Sequence, residues 1–228
     1  DQDRQRAVLG LVVLNSGDYA REGGYGRPSD AALRFVHDVP RWLGVRSLVF
    51  QHMPLPQYYD VLKAMPANAD NAIQGYRKYD AQYYVLDDDR TLPGGYLGEG
   101  VSCPDEDCGE FAALRDTDGY IGVVVGHDHR NGFVGSLNGM MLVATPTCGF
   151  GSYGPAAANR AARLFEFDIR HPYSPRTQLL TFGELVGKPS SNKAYTYAVE
   201  GQSNAADGVN LLRKPGLLAG VAAALKKI

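Results

Sequence analysis

The stretch Tyr120-Ile-Gly-Val-Val-Val-Gly-His-Asp-His129 decides the expected fold. Its first six residues form an apolar run rich in valine, which is typical of a strand buried on both faces. The run ends at Gly126, and histidines follow at positions 127 and 129. In α/β proteins, ligand sites lie at the C-terminal ends of such strands. The stretch therefore predicts a central strand that leads directly into a site.

Two earlier segments resemble this strand. Ala7–Leu14 is a continuous apolar run, and Val45–Phe50 is a second one. Between them, Ser29 can cap a helix that runs to about Leu43, with Leu33, Val36, Val39 and Leu43 on one face. All three strands are predicted to be buried on both faces and to be neighbours in one sheet. Strand, helix and strand followed by further strands indicates an α/β sandwich with a mixed sheet.

The rest of the chain shows weaker patterns. A short helix is predicted from Pro56 to about Met65, a long loop region over 70–109, and another short helix over 109–115. Four short strands are then predicted at Phe133–Leu137, Met140–Ala144, Arg163–Asp168 and Thr177–Phe182. We expect one domain over residues 1–186 and a peripheral extension over 187–228 that ends in an amphipathic helix.

Composition limits the possible classes of protein. The 228 residues are 44% hydrophobic, which is enough for one domain with a substantial core. With 23 Lys and Arg against 25 Asp and Glu, there is no basic field that would favour nucleic acid. No apolar run approaches the roughly 20 residues that a membrane helix requires. Because the chain opens at Asp1 rather than Met, we expect a processed or incomplete piece of a longer protein.

Two small clusters leave alternatives open. Cys103 and Cys108 flank Pro-Asp-Glu-Asp and either close a small disulfide loop or remain two unrelated thiols. A zinc site is less favoured there, since structural zinc takes four closely spaced ligands. The acidic run 87–89 is either a solvated turn or a cation site, and the solvated turn is favoured.

The histidines are the strongest candidates for chemistry. His52 follows one predicted buried strand, and His127 and His129 follow another. Residues two apart in an extended segment point the same way, so His127 and His129 can address two neighbouring metal ions. Neutral imidazole suits Zn, Fe, Mn or Ni. Asp128 either hydrogen-bonds a histidine or faces solvent, and the remaining histidines, His37 and His171, are expected to be solvated.

These motifs resemble a known superfamily. Gly126-His127-Asp128-His129 resembles the Gly-His-x-His motif of calcineurin-like metallophosphoesterases, which include the purple acid phosphatases. Leu48-Val-Phe-Gln-His52-Met-Pro-Leu-Pro-Gln57 is similar to the strand and His-x-Pro element of the same superfamily. The similarity is greatest to the purple-acid-phosphatase-like branch and runs over about residues 7–185. Its other segments are Leu11–Tyr19, Glu99–Phe111, Gly149–Gly154 and Ala162–Glu166.

The resemblance implies a fold, a function and a site. The fold is a metallophosphoesterase-type α/β/β/α sandwich with mixed sheets, of which this chain would be the C-terminal half. His52 and His127 would bind one ion and His129 a second, the pair being divalent or trivalent ions of Fe, Zn or Mn. The substrate would be a phosphate ester, attacked by a metal-generated hydroxide. A secretory or vacuolar compartment is favoured.

The chain departs from the family upstream of these motifs. The chain lacks three ligand motifs of the family: Asp-x-His, the Gly-Asp whose Asp bridges the metals, and Gly-Asn-His-Asp/Glu. It also lacks the general-acid histidine. Asp18 corresponds to no metal ligand of the family. The missing ligands would come from the N-terminal half of the same domain or from a partner chain. The isolated chain is therefore expected to be inactive. The alternative is a non-catalytic structural or interaction subunit that retains the fold.

Overall fold

The computed structural model describes residues 6–186, which contain ten strands and three α-helices. The strands are β1 (Gly10–Val13), β2 (Ser47–Phe50), β3 (Leu62–Met65), β4 (Ile73–Gln74), β5 (Tyr83–Leu86), β6 (Tyr120–Val125), β7 (Val134–Leu137), β8 (Met140–Ala144), β9 (Ala161–Glu166) and β10 (Arg176–Thr181). The helices are α1 (Asp30–Leu43), α2 (Glu110–Asp116) and α3 (Phe182–Val186). Short 3₁₀ helices cover Pro56–Val61, Arg77–Tyr79 and Ala157–Asn159.

A five-stranded mixed sheet with the order β1-β2-β6-β8-β7 organises these elements. The first four strands in that order are parallel, and β7 is antiparallel to β8. The three predicted buried strands are therefore neighbours, and the predicted α/β fold with a mixed sheet is confirmed.

The helix between the first two strands forms as the sequence predicts. The Ser29 side chain accepts a hydrogen bond from the backbone N–H of Ala32, which caps the first turn of α1. Gly44 ends the helix in the left-handed conformation at φ 65°, which a residue without Cβ adopts without strain. Val36 and Val39 are buried against the sheet. Helix α1 thus connects the neighbouring parallel strands β1 and β2, and the pairing of β2 with β6 places the ends of those two strands side by side.

Both faces of β6 are covered. All six of its residues are buried, as predicted for a central strand. Val123 and Val125 face the core formed with α1 and α2, whereas Ile121 and Val124 face the opposite side, where Phe165 of β9 packs. The sheet thus lies between a helical layer and the two-stranded β9–β10 layer. Dense packing on both sides holds the C-terminal end of β6 in place.

The prediction that β1 is buried on both faces is wrong. Val12 is buried, but Leu11 is 63% exposed and Val13 is 81% exposed. The reason is that β1 is an edge strand that pairs only with β2, and within residues 6–186 no element covers its second face. Burial in β1 therefore alternates along the strand, although its sequence is continuously apolar.

Two predictions for the middle of the chain are also wrong. The helix expected from Pro56 to Met65 is a 3₁₀ helix that ends at Val61, and β3 follows it. The expected loop over 70–109 contains β4 and β5, which join β3 in a three-stranded antiparallel sheet. These strands are two to four residues long and only partly buried, so their local periodicity is weak.

The structure decides between the alternatives left open for the two cysteines and for the acidic run 87–89. Cys103 and Cys108 are free thiols rather than a disulfide. Asp87 accepts a hydrogen bond from the backbone of Asp89 and lies 3.5 Å from Arg90, so the acidic run is a turn. Among residues 6–186 no helix has the length and apolar character to cross a membrane. The predicted extension over 187–228 lies outside the described residues, and the domain boundary stays a prediction.

Candidate functional site

Two loops meet at the C-terminal ends of β2 and β6. Phe50 pairs with Val124 in the parallel register, so each strand delivers its next residues to the same edge of the sheet. The backbone N–H groups of Gly126 and His127 then donate to the carbonyl oxygen of His52, at 3.3 and 3.1 Å. These two backbone hydrogen bonds hold the two loops together independently of their side chains.

His52 and His127 are in direct side-chain contact. Nδ1 of His127 lies 3.0 Å from Nε2 of His52, and the ring centroids are 4.8 Å apart at an angle of 80°. Burial, with the nearby His52 and His129 as further causes, lowers the pKa of His127 to about 4. Burial also lowers the pKa of His52, and His129 adds to that effect. Both rings are therefore neutral at neutral pH, and one of the facing nitrogens carries the proton of an N–H···N hydrogen bond.

His129 is held separately, by Tyr153. Its Nδ1 lies 2.8 Å from the carbonyl oxygen of Tyr153, and because a carbonyl only accepts, Nδ1 is the donor. The two rings also stack, with centroids 4.4 Å apart and an interplanar angle of 17°. In the neutral ring this leaves the Nε2 lone pair free. A backbone carbonyl on the far nitrogen is how metal-binding histidines are commonly oriented.

Tyr153 is in turn fixed by Glu99. One carboxylate oxygen of Glu99 accepts the Tyr153 hydroxyl at 3.1 Å and the backbone N–H of Arg130 at 2.9 Å. Burial and the Glu99 carboxylate raise the pKa of Tyr153, so its hydroxyl keeps its proton. Neither residue was predicted to belong to the site, although both lie in segments that carry the family resemblance. Glu99 is 31 positions before Arg130, and no local pattern indicates that contact.

Asp128 does not face solvent, so that alternative is wrong. It is 5% exposed, and its carboxylate accepts the backbone N–H of Ser102 at 3.1 and 3.2 Å. The backbone carbonyl of Asp128 accepts the N–H of Asn131 at 3.2 Å, and burial raises the pKa of the Asp128 carboxyl to about 7. The contacts described for this carboxylate tie the histidine loop to the loop around residue 102 rather than to a histidine ring.

An aromatic cluster borders His127. The ring of Tyr25 meets the His127 ring edge-on at 4.2 Å, and Tyr19 and Tyr76 lie 5.6 and 5.7 Å from Tyr25. Burial, with Tyr76 as the next cause, raises the pKa of Tyr25 to about 12. The ring of Tyr25 covers one side of His127. None of these tyrosines was predicted to belong to the site.

The donor set is incomplete within the described part of the chain. Over residues 6–186, no group of three or more His, Cys, Asp or Glu side chains is arranged to hold a metal ion. His37 lies on α1 against Asp38, and Asp18 is exposed and accepts the N–H of Tyr19. Two facing imidazole nitrogens and a third, separately oriented imidazole are what the described residues offer a metal.

Comparison with known proteins gives one distant likeness. The chain is 26% identical, over an alignment of 182 residues, to a protein of Arabidopsis thaliana named "Probable inactive purple acid phosphatase 29". The alignment covers 73% of this chain and 40% of that relative, so the chain matches well under half of the relative's length. This supports a distant purple-acid-phosphatase-like relationship. No protein-family model and no solved structure matches the chain.

Proposed function

We propose that this chain contributes part of a metal-dependent phosphoesterase site, in which His52 and His127 bind one ion and His129 binds a second. The supporting observation is the 3.0 Å separation between Nδ1 of His127 and Nε2 of His52. With metal–nitrogen bonds of about 2.0 to 2.1 Å, two ligand nitrogens on one ion lie about 2.9 to 3.3 Å apart, from octahedral to tetrahedral geometry. The two nitrogens therefore suit neighbouring positions on a single ion.

Protonation also suits this role. A histidine must be neutral at the nitrogen that binds a metal. The lowered pKa values of His52 and His127 keep both rings neutral, so no proton need be removed from an imidazolium at neutral pH. The proton shared by the two facing nitrogens would lie on the other nitrogen of its ring when both facing nitrogens bind the ion. The Nδ1–H of His129 donates to the backbone carbonyl oxygen of Tyr153, which leaves Nε2 of the neutral ring available. Imidazole ligands are compatible with Fe, Zn or Mn, and the distant relationship implies metal ions in general.

In such a site the bound ions and the surrounding residues would have different roles. Bound ions would supply a hydroxide near neutral pH and stabilise the charge that develops on a phosphate ester. Tyr153 and Glu99 orient His129, and the ring of Tyr25 limits the access of water to His127. Asp128 holds the histidine loop through Ser102. These contacts fix the orientation of His129, the surroundings of His127 and the position of the loop that carries both.

The missing ligands belong, in this proposal, to an upstream segment of the same protein or to a partner chain. The open side of the sheet supports this placement. Leu11 and Val13 expose apolar side chains on β1, whose outer edge is unpaired within residues 6–186. A segment that adds a strand at this edge and covers that face would also approach the ends of β1 and β2, next to His52.

The second candidate is a non-catalytic interaction subunit that keeps the fold. Two observations favour it: the relative's name describes that protein as inactive, and the described residues hold an incomplete ligand set. Under this alternative the contact between His52 and His127 and the contact of His129 with Tyr153 are retained, but the histidines bind no functional metal pair. The two candidates make different predictions for the natural protein.

The test is the metal content of the protein as isolated from its natural source, and then of variants expressed with the same ends. We expect His52→Ala and His127→Ala each to lower metal content, with His37→Ala, an exposed histidine on α1, as the matched control. Hydrolysis of a generic phosphate monoester should fall in parallel. Metal content that is negligible, or unchanged in both variants, would contradict the proposal; bound metal without hydrolysis would favour the non-catalytic candidate.

A further inference from the structure

Arg160 has the largest fully buried side chain among the described residues, with 1% of its surface exposed. It lies between the 3₁₀ helix at Ala157–Asn159 and β9, and its backbone carbonyl accepts the N–H of Phe182 at 2.8 Å. Taking a guanidinium out of water costs free energy unless its N–H groups find acceptors. The acceptors of Arg160 therefore indicate what this buried side chain does.

Both acceptors are backbone carbonyls of one glycine-rich loop, residues 147–154. Nη1 of Arg160 donates to the carbonyl oxygen of Gly149, and Nη2 donates to that of Ser152 at 2.9 Å. The guanidinium carbon also lies over the ring of Phe150, 5.6 Å from its centroid. The loop contains three glycines, and glycine loses more conformational freedom on folding than any other residue. The planar guanidinium thus joins two points of a segment that has little conformational preference of its own.

The same loop contacts His129 at two points. The backbone N–H of Thr147 donates to the carbonyl oxygen of His129 at 3.1 Å. The ring of His129 donates from Nδ1 to the carbonyl oxygen of Tyr153 at 2.8 Å. Both carbonyls that Arg160 binds lie between these two contacts in the sequence. The loop conformation that Arg160 holds therefore determines where the Tyr153 carbonyl meets the imidazole.

We propose that Arg160 is a positioning residue, which fixes the glycine-rich loop so that the Tyr153 carbonyl sets the orientation and the tautomer of His129. Arg160 acts through the loop backbone, by the two carbonyls that it binds. A neutral ring with its proton on Nδ1 has its Nε2 lone pair free. That nitrogen would bind the second ion, and this last step rests on the proposed function. The effect on the tautomer does not depend on it.

The first test is the tautomer ratio of His129 in the full 228-residue chain, measured by long-range nitrogen–proton NMR correlations. Arg160→Lys keeps the charge but not the planar pair of donors. We expect it to lower the ratio of the Nδ1–H form to the Nε2–H form about fivefold, the effect of losing one ordinary hydrogen bond. Arg163→Lys is the matched control and should leave the ratio unchanged, because Arg163 on β9 donates to the Ala144 carbonyl, outside the glycine-rich loop. An unchanged ratio in Arg160→Lys, or an equal change in Arg163→Lys, overturns the proposal.

Phe150→Leu is the second variant, and it decides the matter if Arg160→Lys does not fold. It removes the ring beneath the guanidinium and leaves both carbonyl acceptors in the loop. We expect it to lower the same ratio about threefold, the effect of losing one cation–π contact. A ratio equal to that of the unmodified chain would then overturn the role of Arg160.

Zinc binding separates this inference from the proposed function. In variants expressed with the natural ends of the protein, calorimetric titration should show the second zinc ion bound about tenfold more weakly in Arg160→Lys, as when a group that orients a metal ligand is lost. A changed tautomer with unchanged zinc affinity overturns the step from ring orientation to the ion. If neither the unmodified protein nor the variant binds zinc, the proposed function fails, and the tautomer ratio still decides the role of Arg160.

Discussion

The Nδ1 atom of His127 lies 3.0 Å from Nε2 of His52, although 75 positions separate the two residues in the chain. The contact follows from the pairing of β2 with β6. Phe50 and Val124 are register partners, and His52 and His127 come two and three residues after them. The backbone bonds from Gly126 and His127 to the His52 carbonyl then set the distance between the loops. A central pair of strands thus brings two neutral imidazoles together.

Tyr153 should control which nitrogen of His129 carries the proton. Tyr153→Ala removes the stacked ring, a contact worth about 0.5 to 1.5 kcal/mol, and should reduce the population with the proton on Nδ1. Tyr153→Phe keeps the ring and should preserve that tautomer. Long-range nitrogen–proton NMR correlations of the imidazole measure the ratio. Tyr173→Ala, at a partly exposed tyrosine beside Arg46, is the control, and an unchanged ratio in Tyr153→Ala would show that stacking does not orient His129.

Asp128 should matter for stability. Asp128→Ala removes the acceptor for the Ser102 N–H, and we expect the free energy of unfolding to fall by about 1 to 3 kcal/mol. Asp128→Asn keeps one acceptor oxygen and should cost less. Urea denaturation measures both, with Asp88→Ala, at an exposed carboxylate, as the control. If Asp128→Ala were no less stable than Asp88→Ala, the bond to Ser102 would contribute nothing.

Glu110 should make the protein less stable as pH rises. Burial raises the pKa of Glu110 from 4.5 to about 7, and one of its oxygens has no hydrogen-bond partner among the described residues. Between these two values the folded chain holds a proton that the unfolded chain has released. The contribution of Glu110 to the free energy of unfolding therefore decreases from about pH 4.5 to about pH 7, by an amount on the order of 3 kcal/mol.

The variant Glu110→Gln should remove this contribution, because glutamine does not titrate, whereas Asp128 and His127 still do. The denaturation midpoint of Glu110→Gln, relative to that of the unmodified chain at the same pH, should therefore rise from about pH 4.5 to about pH 7. Glu106→Gln, at an exposed carboxylate nearby, should retain the full dependence. Equal slopes for Glu110→Gln and the unmodified chain would mean that Glu110 ionises in the folded state as readily as in the unfolded state.

The exposed face of β1 should promote self-association. Replacing Leu11 and Val13 together by serine should lower the association of the 228-residue chain, because an apolar edge strand invites pairing. Its effect on stability should be small, within about 0.5 kcal/mol per residue, as for other exposed sites. Sedimentation velocity measures the association. The matched change at buried Val12, Val12→Ala, should instead cost roughly 2 kcal/mol in urea denaturation.

The sequence by itself determined the elements whose signals are local. The valine run of β6 predicts a strand buried on both faces, and Ser29 predicts the start of α1. The same reasoning places His52 and His127 after neighbouring parallel strands, because the ends of such strands meet at one edge of a sheet. These predictions depend on capping, periodicity and strand order, each of which is encoded within a few residues.

Only the tertiary structure decided which partners those elements meet. The apolar sequence of β1 does not predict that Leu11 and Val13 are exposed to solvent, since their exposure depends on elements elsewhere in the chain. Asp128 lies between two histidines in sequence yet bonds Ser102, and His129 stacks on Tyr153, which comes 24 residues later. Such contacts are set by loops that the packed sheet brings together. Their free energy comes from burial and hydrogen bonding between distant segments, which no local pattern records.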